Sequence, residues 1–148
     1  MANLRFDHGD WVVVADGARA LILENVGDRI FPDLRTKENY RQPDPKSREL
    51  GTDKPGRAFS SVGSVRSAME EADRHDQEEQ RFLAQLATRL DKAILAGETK
   101  SLTVVAPPRA LGVLRKAYSS HVRQALKGEI EKDYVKMPVD EIARHLAA

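Results

Sequence analysis

The chain has no cysteine. That absence removes disulfides, thiolate metal sites and thiol nucleophiles together, and it fits a reducing cytosol. Aromatic residues are scarce, at 5% of 148, so the core is expected to be built from Val, Leu, Ile and Ala. No long apolar run exists: the longest, from Trp11 to Ala15, is far below the roughly 20 residues of a membrane-spanning helix. The first seven residues, Met-Ala-Asn-Leu-Arg-Phe-Asp, lack the basic and apolar regions of a signal peptide. A soluble, cytoplasmic protein with no membrane insertion is therefore expected. Charge of one sign is also missing, with 24 basic residues against 23 acidic ones. A global polyelectrolyte attraction to nucleic acid is not indicated, although charge can still segregate locally. At this length a single domain, 1–148, needs neither metal nor disulfide for stability.

What is present reads as strands first and helices afterwards. Residues 10–15, Asp-Trp-Val-Val-Val-Ala, suit a central strand buried on both faces. Asp16-Gly17 is a hairpin turn signal, and residues 18–26 continue as the second strand. After Gly27-Asp28, residues 29–34 can form a third strand that Pro32 confines to an edge. From 35 to 64 the apolar periodicity disappears, and Pro43, Pro45, Gly51, Pro55, Gly56 and Gly63 punctuate a long loop. Between Arg35 and Arg66 stand eight basic and four acidic residues, so this stretch is locally basic. Loops of that length are functional or disordered more often than plain connectors.

Residues 73–81 contain no apolar residue after Ala72, which predicts a break or an exposed middle in the helical stretch that starts near Val65. Asp76 and Glu79 have the spacing of a capping box, and Phe82, Leu83, Leu86, Leu90, Ala93 and Ile94 then share one face, predicting a helix over 76–96. Residues 101–106, Ser-Leu-Thr-Val-Val-Ala, form a second central strand, parallel to the first because a helix connects them. Pro107-Pro108 ends it and opens another helix. Ser119 or Ser120 caps a further turn or two, which Gly128 ends. Residues 129–135 are read as an outer strand, and Pro138 opens a last helix. The order is α/β: a three-stranded antiparallel meander followed by helix-strand-helix-strand-helix, the order of an RNase H-like mixed sheet.

That order raises a two-metal nuclease, which requires carboxylates on the central strand, the first helix and the end of the fourth strand. Asp10 and Asp16 bracket the first strand instead, and the fourth ends in Ala106-Pro107-Pro108. His8, His75, His121 and His145 are scattered without metal-ligand spacing, and Ser60-Ser61 and Ser119-Ser120 lack a nucleophile signature. No catalytic residue, metal or cofactor is expected. Positive charge is more informative: Arg109, Arg115, Lys116, Arg123 and Lys127 stand between Ser101 and Gly128 with no acidic residue among them. A solvated helical face accounts for most of these. Arg109, however, falls in the first helical turn at the carboxyl end of a central strand, where open α/β sheets place ligands. It can hold a phosphate or carboxylate there, with Arg57 from the loop as a second arm.

With these segments in place, the sequence resembles the bacterial host-attachment protein family. The matching pieces are Trp11-Val-Val-Val-Ala-Asp16-Gly-Ala-Arg19-Ala, Gly51-Thr-Asp53-Lys54-Pro-Gly56-Arg57, Phe82 with its helix, Val105-Ala-Pro-Pro-Arg109-Ala-Leu-Gly112-Val-Leu-Arg115, and Lys132-Asp133. Ser67 stands where that pattern has a His after the Arg at 66. The family is in turn similar to the RNase H-like middle domain of archaeal and eukaryotic peptide-release factors, which carries a Gly-Gly-Gln loop between meander and first long helix. The 51–57 segment occupies the corresponding place, but the chain has no Gly-Gly-Gln. The resemblance thus implies a non-enzymatic binding protein, with tRNA or the ribosome as partner and Asp53, Lys54, Gly56, Arg57, Arg109 and Arg115 as binding residues. An exported adhesion protein and a hydrolase acting on tRNA esters stay open beside it.

Overall fold

The computed structural model describes residues 5–43 and 64–147. Its centre is β1, Trp11–Ala15, with all five residues buried, as the β-branched run requires. β2, Arg19–Asn25, pairs with it antiparallel, Val13 facing Ile22. β3, Leu34–Arg41, pairs antiparallel with β2. β4, Leu102–Ala106, lies parallel to the other side of β1, with Trp11 opposite Leu102. β5, Leu126–Glu131, lies parallel to β4 and completes a five-stranded mixed sheet of order β3-β2-β1-β4-β5. Four helices accompany it among the described residues: α1, Ser64–Leu95; α2, Pro108–Ala117; α3, Ser120–Ala125; and α4, Val139–Ala147. The antiparallel meander is thus only three-fifths of the sheet, and two helices, not one, separate β4 from β5.

Side chains alternate across the strands and divide the core into two layers. Trp11, Val13 and Ile22 pack under Leu83, Leu86 and Leu90 of α1 and Leu111 and Leu114 of α2. Val12, Val14, Leu23 and Val105 pack on the opposite face against Ile142 and Leu146 of α4, with Phe6 and Val135. The sheet is therefore covered on both sides, which is why its central strands read as unbroken apolar runs.

Three expectations are corrected. The third strand is not 29–34, which turns, but Leu34–Arg41, so the long loop does not begin at 35. This strand is polar because it lies at the sheet edge, where the backbone of β2 and ion pairs hold it. Glu38 accepts from Arg89 at 2.6 Å, and Lys37 stands 3.7 Å from Glu24. The second correction concerns Asp76 and Glu79, which cap nothing: α1 begins at Ser64 and runs unbroken through 73–81. That stretch has no Gly or Pro, and its Glu, Gln and Arg are good helix formers, so polarity exposes the helix without ending it. Residues 73–77 are exposed, and burial resumes at Phe82. At 1.5 Å per residue, α1 is about 48 Å long against about 17 Å for a five-residue strand, so it is far longer than the strands it packs on. Third, Gly128 ends no helix; it pairs with Thr103 inside β5, which spans Leu126–Glu131 where 129–135 was expected.

Candidate functional site

At the carboxyl end of β1 the chain turns sharply. Asp16 Oδ1 accepts from the backbone N–H groups of Ala18 and Arg19, both at 2.8 Å, so this carboxylate fixes the hairpin and is not free for chemistry. Gly17 lies under α1: a Cβ placed there would stand 2.7 Å from Cδ of Glu79. Gln42, just past β3, ties the same turn from the other side, donating from Nε2 to the Gly17 carbonyl at 2.6 Å and from its backbone N–H to Ala18 at 2.9 Å. A groove of about 250 Å³ opens beside it, lined by Gln42, Pro43, Glu78, Arg81, Phe82 and Gln85.

The parallel neighbour β4 ends at the same level. Pro107 is extended and Pro108 starts α2, its fixed φ suiting the first helical turn, while the Leu111 N–H donates to the Pro107 carbonyl at 3.0 Å. Arg109 follows directly. Its guanidinium donates to Asp76 and lies 3.5 Å from Glu79, both on α1. The hydrogen bond to Asp76 and the charge of both carboxylates raise its already high pKa, so it is a permanent cation. Two thirds of the side chain remains exposed. Asp76, Glu79 and Arg109 thus meet at the mouth formed by the carboxyl ends of β1 and β4, the place where open sheets bind ligands.

This arrangement can exchange ionic partners. No group of acidic and imidazole side chains among the described residues could hold a metal. Asp10 and Asp16 sit at opposite ends of β1, and Asp10 is held by Lys127 at 2.5 Å. Ser119, Asp91 and His121 come together without forming a relay. Asp91 Oδ1 accepts from the Ser119 hydroxyl at 2.6 Å and lies 3.2 Å from His121 Nδ1, whereas a relay needs the imidazole between the other two. Ser119 Oγ also accepts from the Val122 N–H at 3.1 Å, so it caps α3 as its sequence position suggests. The Ser119 hydrogen bond holds the Asp91 carboxyl below the usual carboxylate range.

Of the residues singled out in the sequence, Asp53, Lys54, Gly56 and Arg57 lie outside the described residues. Arg109 stands where its position after β4 puts it. Arg115 does not join it: six positions further along α2 means a turn of about 240° from Arg109, and its Nε donates to Glu129 of β5 at 2.9 Å. The rest of the basic run also disperses. Arg123 donates to the Arg115 carbonyl at 2.7 Å, and Lys127 reaches Asp10 and the Arg5 carbonyl at the far end of the sheet. Asp76 and Glu79 are the site residues that sequence reasoning assigned elsewhere. Their three-residue spacing fits a capping box, but it equally places two carboxylates on the helical face that continues to buried Phe82.

Among curated proteins, none matches the chain. A family model does, and it covers β1 through α4 with the Asp16 turn, the acidic face of α1 and Arg109 inside it. Over residues 11–146 the match is to the family described as protein required for attachment to host cells, and the chain belongs to that family.

Proposed function

We propose that this member of the host-attachment family works by binding RNA, as tRNA or as a ribosomal site, without turning it over, and that it affects attachment indirectly from the cytoplasm. The observation that carries the reading is Arg109. It is a permanent cation, two-thirds exposed, in the first turn of α2 and at the carboxyl ends of two parallel strands. Its partners are themselves exposed, and an exposed ion pair contributes little to stability, so a phosphate replaces Asp76 at small cost. The chain that leaves β3 at Gln42 and Pro43 carries Lys46, Arg48, Lys54 and Arg57, with Asp44, Glu49 and Asp53 among them, next in sequence, which supports Arg57 as a further phosphate contact. The order of three antiparallel strands followed by two parallel ones supports an RNase H-like architecture, and with it the likeness to the release-factor domain. No Gly-Gly-Gln is present, which favours binding over ester hydrolysis.

Binding of the purified protein to tRNA and to ribosomes, at low and high salt, tests this against Arg57→Ala and Arg109→Ala. Salt-sensitive binding weakened several-fold by each substitution is expected, because each removes one phosphate contact. A native protein that shows no salt-sensitive binding to either would end the proposal.

A further inference from the structure

The end of the sheet remote from Arg109 carries a second surface. The connection between β2 and β3 exposes Ile30 and Phe31, each at 77%, on a turn whose backbone is tightly determined. Asp28 Oδ1 accepts from the N–H groups of Ile30 at 3.0 Å and Phe31 at 2.7 Å, and the Asp28 N–H donates to the Phe31 carbonyl at 3.1 Å. Below the tip, the Val26 N–H donates to the Asp33 carbonyl at 2.9 Å. Buried Asn25 braces the base, accepting from Gly27 and Asp33 and donating to the carbonyls of Phe6, Asp7 and Asp28. Two large apolar side chains are thus held in water by a turn in which the N–H groups of Asp28, Ile30 and Phe31 all find partners.

Behind the tip lies a groove of about 600 Å³ between the turn and α4, lined by Phe6, Leu34 and Leu146 and by Arg5, Arg29 and Arg144. Two of the acids nearby are already paired with cations. Asp7 accepts from Arg29 at 2.7 Å and lies 3.5 Å from Lys127, and Asp33 pairs with Arg35 at 3.0 Å. Arg5 and Arg144 have no carboxylate partner among the described residues. An apolar pair flanked by unneutralised guanidinium groups matches a surface that is apolar within and anionic at its boundary. The planar fork of Arg suits phosphate in particular. A second copy of the same face would bring these arginines against each other, which disfavours self-association.

We propose that the 26–33 turn and the groove behind it dock on anionic phospholipid membranes, with Ile30 and Phe31 entering the headgroup region and Arg5 and Arg144 meeting lipid phosphates. Such contact is peripheral and needs no spanning helix; none of the described helices is long and apolar enough to cross a membrane. It is independent of RNA binding at Arg109, from which the length of the sheet separates it.

The test is co-sedimentation of the full chain with phosphatidylcholine vesicles with and without one third phosphatidylglycerol, at low and high salt. Binding several-fold stronger on the anionic vesicles, and reduced by salt, is expected. The Ile30→Ser/Phe31→Ser double variant should lose about ten-fold with an unchanged melting temperature, because both side chains already face water. Arg5→Gln/Arg144→Gln should lose several-fold on anionic vesicles alone. Equal binding to both vesicle types, or undiminished binding by the serine variant, would overturn the proposal. A native dimer that the serine variant dissolves would assign the face to self-association instead. Preferential capture of soluble polyglutamate over vesicles would assign it to an acidic protein partner.

Discussion

Arg89 stacks on Trp11: its guanidinium carbon lies 5.5 Å from the centroid of the buried indole, a cation–π contact in a partly dry setting. The same guanidinium forks onto two carboxylates, Glu38 of β3 at 2.6 Å and Glu98 after α1 at 2.8 Å. One side chain therefore joins the first helix, the central strand and the polar edge strand, which buries little apolar surface of its own.

Replacing Arg89 with Met keeps its apolar stem but leaves Glu38 with the Tyr40 hydroxyl and no cation in hydrogen-bond contact, and should cost about 2 kcal/mol, the range for a hydrogen bond to a charged group. Urea denaturation measures that loss. The same contact makes stability sensitive to acid. Hydrogen bonds from Arg89 hold Glu38 and Glu98 below the usual value of 4.5. In the interval below 4.5 the unfolded chain binds more protons than the folded one, so this contribution is complete above 4.5 and is lost as pH falls through the lowered folded values. Melting temperature should drop between pH 6 and pH 3.5 more steeply in the native protein than in Arg89→Met.

Gly17 and Gly27 should respond differently to the same substitution. A Cβ on Gly17 meets the flexible end of Glu79 at 2.7 Å, and that side chain can swing away into solvent. On Gly27 it meets backbone, the Phe31 carbonyl oxygen at 2.2 Å and the Asp33 nitrogen at 2.8 Å. Gly17→Ala should therefore change stability by less than about 1 kcal/mol, whereas Gly27→Ala should cost about 2–3 kcal/mol through forced displacement of the turn. Thermal melts of the two variants side by side check this, and similar losses would show that the 26–33 turn yields more easily than its hydrogen bonds imply.

Asn25 is fully buried and uses both ends of its amide, donating to three backbone carbonyls and accepting from two N–H groups. Asn25→Ala should destabilise by about 3 kcal/mol, since several buried backbone groups lose their partner at once. Asn25→Asp should be no better, because a carboxylate cannot donate to the carbonyls of Phe6 and Asp7. Amide exchange at Gly27 and Asp33 reports the effect locally: protection there should fall further than in β1.

Elements that bury apolar side chains were legible in the sequence. β1 and β4 appear as unbroken β-branched runs, and the buried half of α1 appears in the spacing from Phe82 to Ala93. Elements held by other means were not. β3 carries Arg-Thr-Lys-Glu-Asn-Tyr-Arg after Leu34, a pattern set by ion pairs and an edge position, so it resembles loop. The middle of α1 at 73–77 is exposed and carries no apolar face, so propensity alone marks it. Arg109 could be found because its backbone position decides its place. Its pairing with Asp76 could not, since that depends on where a helix 33 residues away crosses the sheet.

That pairing yields the sharpest test of the proposed binding face. Asp76 and Glu79 compete with any phosphate for Arg109, so Asp76→Asn/Glu79→Gln should release the guanidinium and remove two charges that repel RNA. The pair is exposed, and its loss should leave the melting temperature nearly unchanged. Affinity for tRNA at low salt should rise several-fold, and the dependence on salt should steepen because fewer fixed carboxylates oppose the phosphates. Adding Arg109→Ala to that double variant should cancel the gain. A gain that survives the loss of Arg109 would attribute it to the field of the acidic face alone and would remove Arg109 from the site.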